Sequence, residues 1–156
     1  MPTQPRERPF NVFRFQVDLG PGGPSTTDFK AGFQEVSGLG AETHIAEYRA
    51  GNDLENGPLK ITGLSKYNDV TLKRGLIADI TTLYAWWDSV RNGSQDELRT
   101  VRIQLMDDTG KNVVQQWALT NARLVKYTAP AFNGKATDVA IEEVVISHEK
   151  MVVTTP

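Results

Sequence analysis

The chain has 156 residues, enough for one domain with an apolar core of its own, unaided by metal or disulfide staples. It contains no cysteine, which excludes disulfides and thiolate metal sites and fits folding in a reducing compartment. Seventeen basic residues against nineteen acidic ones leave a formal charge of -2, so there is no electrostatic footprint for nucleic acid.

The opening MPTQPRERPF carries three prolines and three charged residues. It has no apolar h-region and is no secretory signal, and no apolar run approaches the ~18 residues of a membrane span. Residues 1–10 are expected as an extension to a single domain, 1–156, that is soluble and made in the cytoplasm. NVFRFQVDL then alternates, with Phe13, Phe15, Val17 and Leu19 on one side and Arg14, Gln16 and Asp18 on the other: a strand wet on one face. GPGGPSTTD, Gly20 to Asp28, reads as a surface loop, since it matches neither the P-loop nor the dinucleotide fingerprint. A second strand is expected over Phe29 to Val36, with a bulge or close backbone approach at Gly32. In a third, Thr43, Ile45 and Glu47 face one way and His44, Ala46 and Tyr48 the other. The short SGLGA between them predicts that these two strands pair as a hairpin. NDVTLKRG supplies a fourth strand with Val70 and Leu72 toward the core.

One helix is predicted over 77–92. Ile77, Ile80, Leu83, Tyr84, Trp87 and Val90 make its apolar stripe, Asn92-Gly93 stops it, and Trp86 falls off the stripe, packed sideways or anchoring an interface. RTVRIQLMD alternates Val101, Ile103 and Leu105 against Arg102 and Gln104; DDTGKN is a hairpin turn; VVQQWALTNARLVKYTAP is one long bent strand or two short ones. In the last strand Val139 and Ile141 share one face while Val144 and Ile146 share the other, so a bulge is expected near Glu142-Glu143. The fold class is mainly β: a small antiparallel barrel or sandwich with one flanking helix.

No chemistry accompanies this frame. His44 and His148 fall at polar-facing positions, without metal-binding spacing. No serine stands in a nucleophile elbow, and Ser37 in VSGLG fits a tight turn. Glu142 and Glu143 point to opposite faces of a strand, and Asp107-Asp108 lie in a turn. The chain reads as a non-enzyme with no cofactor and no metal.

The unusual segment is EYRAGNDLENGPLKITGLSKYNDVTLKRG, Glu47 to Gly75, whose middle runs longer than loops in compact domains usually do. A solvated loop is the simple reading, but Leu54, Leu59, Ile61, Leu64 and Tyr67 are many apolar residues to leave wet. The alternative is a β-hairpin arm ordered against another subunit.

NVFRFQVDL, GFQEVSGLGAE, the EYR to VTLKRG segment and the helix with its paired tryptophans, in that order, closely resemble the tail-tube family. This family includes the inner tube proteins of contractile phage tails and of phage-tail-like extracellular contractile injection systems. Thr62 departs from the family, which often has proline at that point of KITGL. The resemblance implies a β-barrel subunit that forms hexameric rings, stacked into a hollow tube inside a contractile sheath, for envelope puncture and cargo delivery. It implies as partners other copies of the chain, a sheath protein, baseplate or spike-hub and tube-terminating cap proteins, and a cargo or tape-measure protein in the lumen. It does not imply stable nucleic-acid or membrane binding. After cytoplasmic assembly the chain would become part of a phage tail or tail-like particle.

On the same ground the extended loop 51–66 and its flanks carry the contacts between subunits and rings, through Arg49, Gly51, Asn52, Asp53, Leu54, Leu59, Lys60, Leu64 and Tyr67. Residues facing the lumen are expected among Arg14, Gln16, Asp18, Arg102 and Glu142. The rival readings are a non-contractile tail tube or type VI secretion tube protein and, from another class, a monomeric ligand-binding barrel.

Overall fold

The computed structural model describes residues 8–19, 33–76, 82–93 and 98–156. In chain order it contains β1 (Phe15–Asp18), β2 (Phe33–Ser37), β3 (Ala41–Tyr48), β4 (Leu59–Tyr67), β5 (Val70–Gly75), α1 (Thr82–Arg91), β6 (Arg99–Met106), β7 (Val113–Thr128), β8 (Ile141–Ser147) and β9 (Lys150–Thr154). The strands of the body pair antiparallel in the order β1-β6-β7-β8-β5-β2, with β9 also on β7.

β7 organises the body. It is 16 residues long, and its first part pairs with β6 and β9 while residues from Arg123 onward pair with β8. Between these parts Asn121 takes a left-handed conformation, φ 52°, a region to which asparagine is better suited than most side chains. β8 and β9 part at the same level, where Glu149 N–H donates to the Thr120 carbonyl. Asn121 Nδ2 donates to the Glu149 carboxylate at 2.7 Å, and Arg123 pairs with it at 3.7 Å. The sheet turns this corner into two layers, β1-β6-β7-β9 and β2-β5-β8-β7. Their inner faces share a core of Val17, Leu72, Ile103, Leu119, Val144 and Ile146. Among the described residues β1 and β2 end the strand order without joining, which makes the body a sandwich open on one side rather than a closed barrel.

Three local expectations change. The predicted β2–β3 hairpin does not form: β2 pairs with β5, and β3 pairs with β4 in a separate two-stranded sheet. The short SGLGA connection redirects the chain, because Gly38 (φ +88°) lies so close to the Asp69 carbonyl that a Cβ would come within 2.2 Å of it. Trp86 belongs to the core with Leu83, whereas Tyr84 is exposed; the buried side of α1 is rotated toward 83–86–90, and the Arg99 guanidinium lies 4.6 Å from the Trp86 ring centre. No bulge occurs at Glu142-Glu143, where β8 keeps an unbroken register with β5. Glu142 shares the inner face with Val144 and Ile146, and the irregularity falls on β7 between Leu124 and Lys126. The predicted loop Gly20 to Asp28, the bulge at Gly32 and the helix residues Ile77 and Ile80 lie outside the described residues.

Candidate functional site: a hairpin arm and a polar sheet face

β3 and β4 form an antiparallel hairpin whose residues are exposed along nearly all of both strands. The expected alternation of β3 fixes its two faces. Thr43, Ile45 and Glu47 oppose Ser65, Thr62 and Lys60, and Ala46 and Tyr48 oppose Ile61 and Leu59. The outer half of the second face is therefore wholly apolar, and exposed. Gly63 and Leu64 together stand opposite His44 in a bulge, where an added Cβ at 63 would come 3.0 Å from the His44 carbonyl, a tight contact.

The tip of the arm is held by its own hydrogen bonds. Arg49 Nε donates to the Glu55 carbonyl and Arg49 Nη2 to the Asp53 carbonyl, both at 3.1 Å. Asp53 Oδ1 accepts from Glu55 N–H at 3.2 Å. Arg49 and Asp53 thus shape the turn, while Gly51 and Asn52 are exposed within it. Leu54 at the tip is 99% exposed. Leu59, Lys60 and Leu64 sit along β4, so residues 59–66 of the expected loop are strand. Tyr67 lies at the root instead, half-buried, with its ring 5.7 Å from that of His148.

His148, expected at a solvated position, is buried against this root. Its Nε2 meets the Asn68 carbonyl at 3.0 Å, which requires that nitrogen to carry the hydrogen. Asn68 N–H donates to the Gly40 carbonyl and closes the root from the other side.

Gln16, Asp18 and Arg102, expected at a lumen, come together on the outer face of the β1-β6-β7-β9 layer, while Arg14, expected there too, precedes β1 with its guanidinium near Gly110 in the β6–β7 turn. Register places Gln16 beside Gln104 and Gln116, and Asp18 beside Arg102 and Ala118. Gln104 donates to Gln116 at 2.9 Å, and Arg102 lies 4.0 Å from Asp18. The sequence reading missed Gln116 and Thr154, which continue the polar row across β7 to β9. The period-two pattern of β7 held that signal, hidden by uncertainty over where the strand bends.

Glu142 cannot belong to this face. It is 1% exposed, on the inner side of the other layer, ion-paired with Arg74 and accepting from Tyr127 Oη at 3.0 Å. A buried carboxylate needs such partners, because desolvation of an unpaired charge is costly. Burial, then the bond to Glu142, push the Tyr127 phenol above its ordinary range.

No curated protein matches this chain. Among solved structures, the chain resembles one from the sheath-tube complex of an extracellular contractile injection system, PVC, in the extended state, with 29% identity, TM-score 0.82 and coverage of 96% of this chain and 94% of that one. It also resembles a chain of the PVC sheath/tube terminator, with 28% identity, TM-score 0.79 and coverage of 96% and 99%. Hcp1 from Flavobacterium johnsoniae shares the fold, with 14% identity, TM-score 0.54 and coverage of 92% and 97%. The profile described as T4-like virus tail tube protein gp19 matches residues 11–152. The chain belongs to that tail tube family.

Proposed function

We propose that this tail tube protein is the inner-tube subunit of a contractile injection particle, assembled as hexameric rings stacked inside a sheath. The observation that carries the reading is the β3–β4 arm, which leaves the body with an exposed apolar face that none of the other described residues covers. Isolated two-stranded hairpins are marginally stable in water, so an arm of this kind acquires its packing from another copy. The injection-system likenesses, at 28–29% identity, support a surrounding sheath and a terminating cap as the remaining partners.

The β1-β6-β7-β9 layer supplies the tube wall. Its edge strands can pair with the same layer in neighbouring copies, which removes the liability of open edges. A barrel of many strands encloses an aqueous channel rather than a filled core. The face with Gln16, Asp18 and Arg102 then lines the lumen, joined by Gln104, Gln116 and Thr154. Residues 51–66 and their flanks make the contacts between subunits and rings. Neighbouring amides and a paired Asp18–Arg102 give a wall that hydrates well. The subunit's task is mechanical and needs no catalytic group.

Negative-stain microscopy of the purified protein, with sedimentation analysis, tests this reading. Sixfold rings or tubes are expected; a strictly monomeric species at high concentration would overturn it.

A further inference from the structure

The sequence contains three Asn-Gly dipeptides: 56–57 at the tip of the arm, 92–93 just beyond α1, and 133–134 in the loop that joins β7 to β8. All six residues are exposed, so water reaches each pair. Asparagine before glycine is the pairing in which a main-chain nitrogen most readily attacks the preceding side-chain amide, because glycine has no Cβ to obstruct the approach. The attack needs two freedoms. The asparagine side chain must swing onto the next nitrogen, and that nitrogen must not already be committed as a donor.

The fold grants these freedoms unequally. Beyond α1 the attacking nitrogen is taken, since the Gly93 N–H donates to the Val90 carbonyl at 3.1 Å, and the Asn92 N–H donates to the Asp88 carbonyl at 3.0 Å. In the β7–β8 loop the side chain is taken: Asn133 Oδ1 accepts from the Lys135 N–H at 3.0 Å, and the Asn133 carbonyl accepts from the Ala136 N–H at 3.1 Å. At the arm tip that turn cannot form. The residue two places beyond Asn56 is Pro58, which has no N–H to donate. The bonds that shape the tip stop short of the pair, because Arg49 holds the carbonyls of Asp53 and Glu55 while β4 begins only at Leu59. Even Asn52, in the same tip, precedes a nitrogen already in use, the Asp53 N–H donating to the Ala50 carbonyl at 3.1 Å. Among the described residues neither Asn56 nor the Gly57 N–H has a hydrogen-bond partner.

We propose that Asn56 is a site of spontaneous deamidation, converted to aspartate and isoaspartate while Asn133 and Asn92 persist. The Gly57 nitrogen gives up its proton to hydroxide and bonds to Asn56 Cγ. The Cγ–Nδ2 bond breaks, and the nitrogen takes a proton from water and leaves as ammonia, closing a five-membered succinimide. Water then opens the ring at either carbonyl. Breaking the new bond from Cγ to the Gly57 nitrogen gives aspartate; breaking the original main-chain bond gives isoaspartate. Nothing is oxidised or reduced, and water is the only co-reactant. The product carries one more negative charge than the parent chain. In the isoaspartyl form the main chain runs through Cβ, which lengthens the connection from Glu55 to β4 by one bond. The inference concerns the single chain and stands apart from the tube reading.

The test ages full-length protein at high dilution in mildly alkaline buffer and follows the three sites by peptide mass spectrometry. Material that sediments is removed before digestion, so contacts between copies do not mask the site. The peptide with Asn56 is expected to convert first, as two chromatographic products of equal mass, with Asn133 later and Asn92 last. Gly57→Ala is expected to leave Asn56 largely unconverted over the same period. The fold tolerates that change, because Gly57 is not in the left-handed region and open space lies where its Cβ would stand. In guanidinium chloride, where the α1 end and the β7–β8 turn are lost, the three sites are expected to convert at similar rates. Conversion of Asn133 or Asn92 ahead of Asn56 in the folded protein would overturn the inference. So would an undiminished rate in Gly57→Ala, or an order of conversion that survives denaturant.

Discussion

Arg74 on β5 and Glu142 on β8 are cross-strand neighbours 68 residues apart in sequence, and they form an ion pair inside the core. The Arg74 guanidinium also lies 5.9 Å from the Phe33 ring centre, while Glu142 accepts from Tyr127, so β5 and β7 meet β8 at one carboxylate and β2 joins them through Arg74. Removing one member leaves the other charged and buried. Glu142→Ala is expected to cost about 3–5 kcal/mol, read as a lower urea midpoint with an unchanged slope. The double change Arg74→Met with Glu142→Leu is expected to cost much less, because it removes both charges together.

Tyr127 makes stability depend on alkaline pH. Burial and the Glu142 carboxylate raise its phenol above the ordinary value of 10.0, so the unfolded chain loses this proton first. The contribution is fully present below the unfolded value and disappears as pH rises through the folded one. In spectrophotometric titration one tyrosine is expected to ionise later than the rest, and Tyr127→Phe is expected to remove that late phase. The loss of its bond to a charged acceptor is expected to cost about 1–3 kcal/mol at neutral pH.

Asp107 works in the opposite direction, in the β6–β7 turn. Its carboxylate accepts from Thr109 Oγ1 at 2.7 Å and Asn112 Nδ2 at 2.9 Å, and these bonds hold it well below the usual carboxylate range. A lowered value stabilises the fold above the unfolded value and ceases to do so as pH falls through the folded one. Carboxyl NMR is expected to show Asp107 still ionised where most carboxylates have protonated. Asp107→Ala is expected to speed amide exchange at Lys111 and Asn112, whose N–H groups donate to it.

The arm separates stability from assembly. Leu59 and Ile61 are exposed in the single chain, so Leu59→Ser with Ile61→Ser is expected to move the thermal midpoint of the subunit little, within the ±0.5 kcal/mol per site usual for surface changes. The same variant is expected to abolish tubes in sedimentation. A large fall in the midpoint would mean that the arm packs on its own body.

Period-two alternation made most of this fold legible. β1, β5 and β6 carry their apolar residues where the pattern places them, and the grouping of Gln16, Asp18 and Arg102 follows from the same parity. The arm was legible as a surplus of leucine and isoleucine in a segment too long for a loop. What misled was polarity used as a proxy for exposure. Glu142 broke the apolar phase of β8 and suggested a bulge, because a sequence does not reveal that Arg74 will stand opposite it. His148 looked wet until the Asn68 carbonyl closed over it. The β2–β3 pairing failed for a related reason: a short connection permits a hairpin but does not require one, and the contact of Gly38 with Asp69 settles the path here.

The corner at Asn121 has a mechanical consequence. Both layers contain β7, a single unbroken strand, so the β1-β6-β7-β9 layer and the layer that roots the arm are joined by peptide bonds as well as by side-chain packing. In the proposed assembly, a thrust along the tube axis passes from ring to ring through the arm, into β5 and β8, and then round the corner into the other layer. Slippage between layers would require β7 to straighten and Asn121 and Arg123 to release Glu149. The subunit is built as a bent strut rather than as two plates pressed together, which suits a rod that must withstand compression without telescoping.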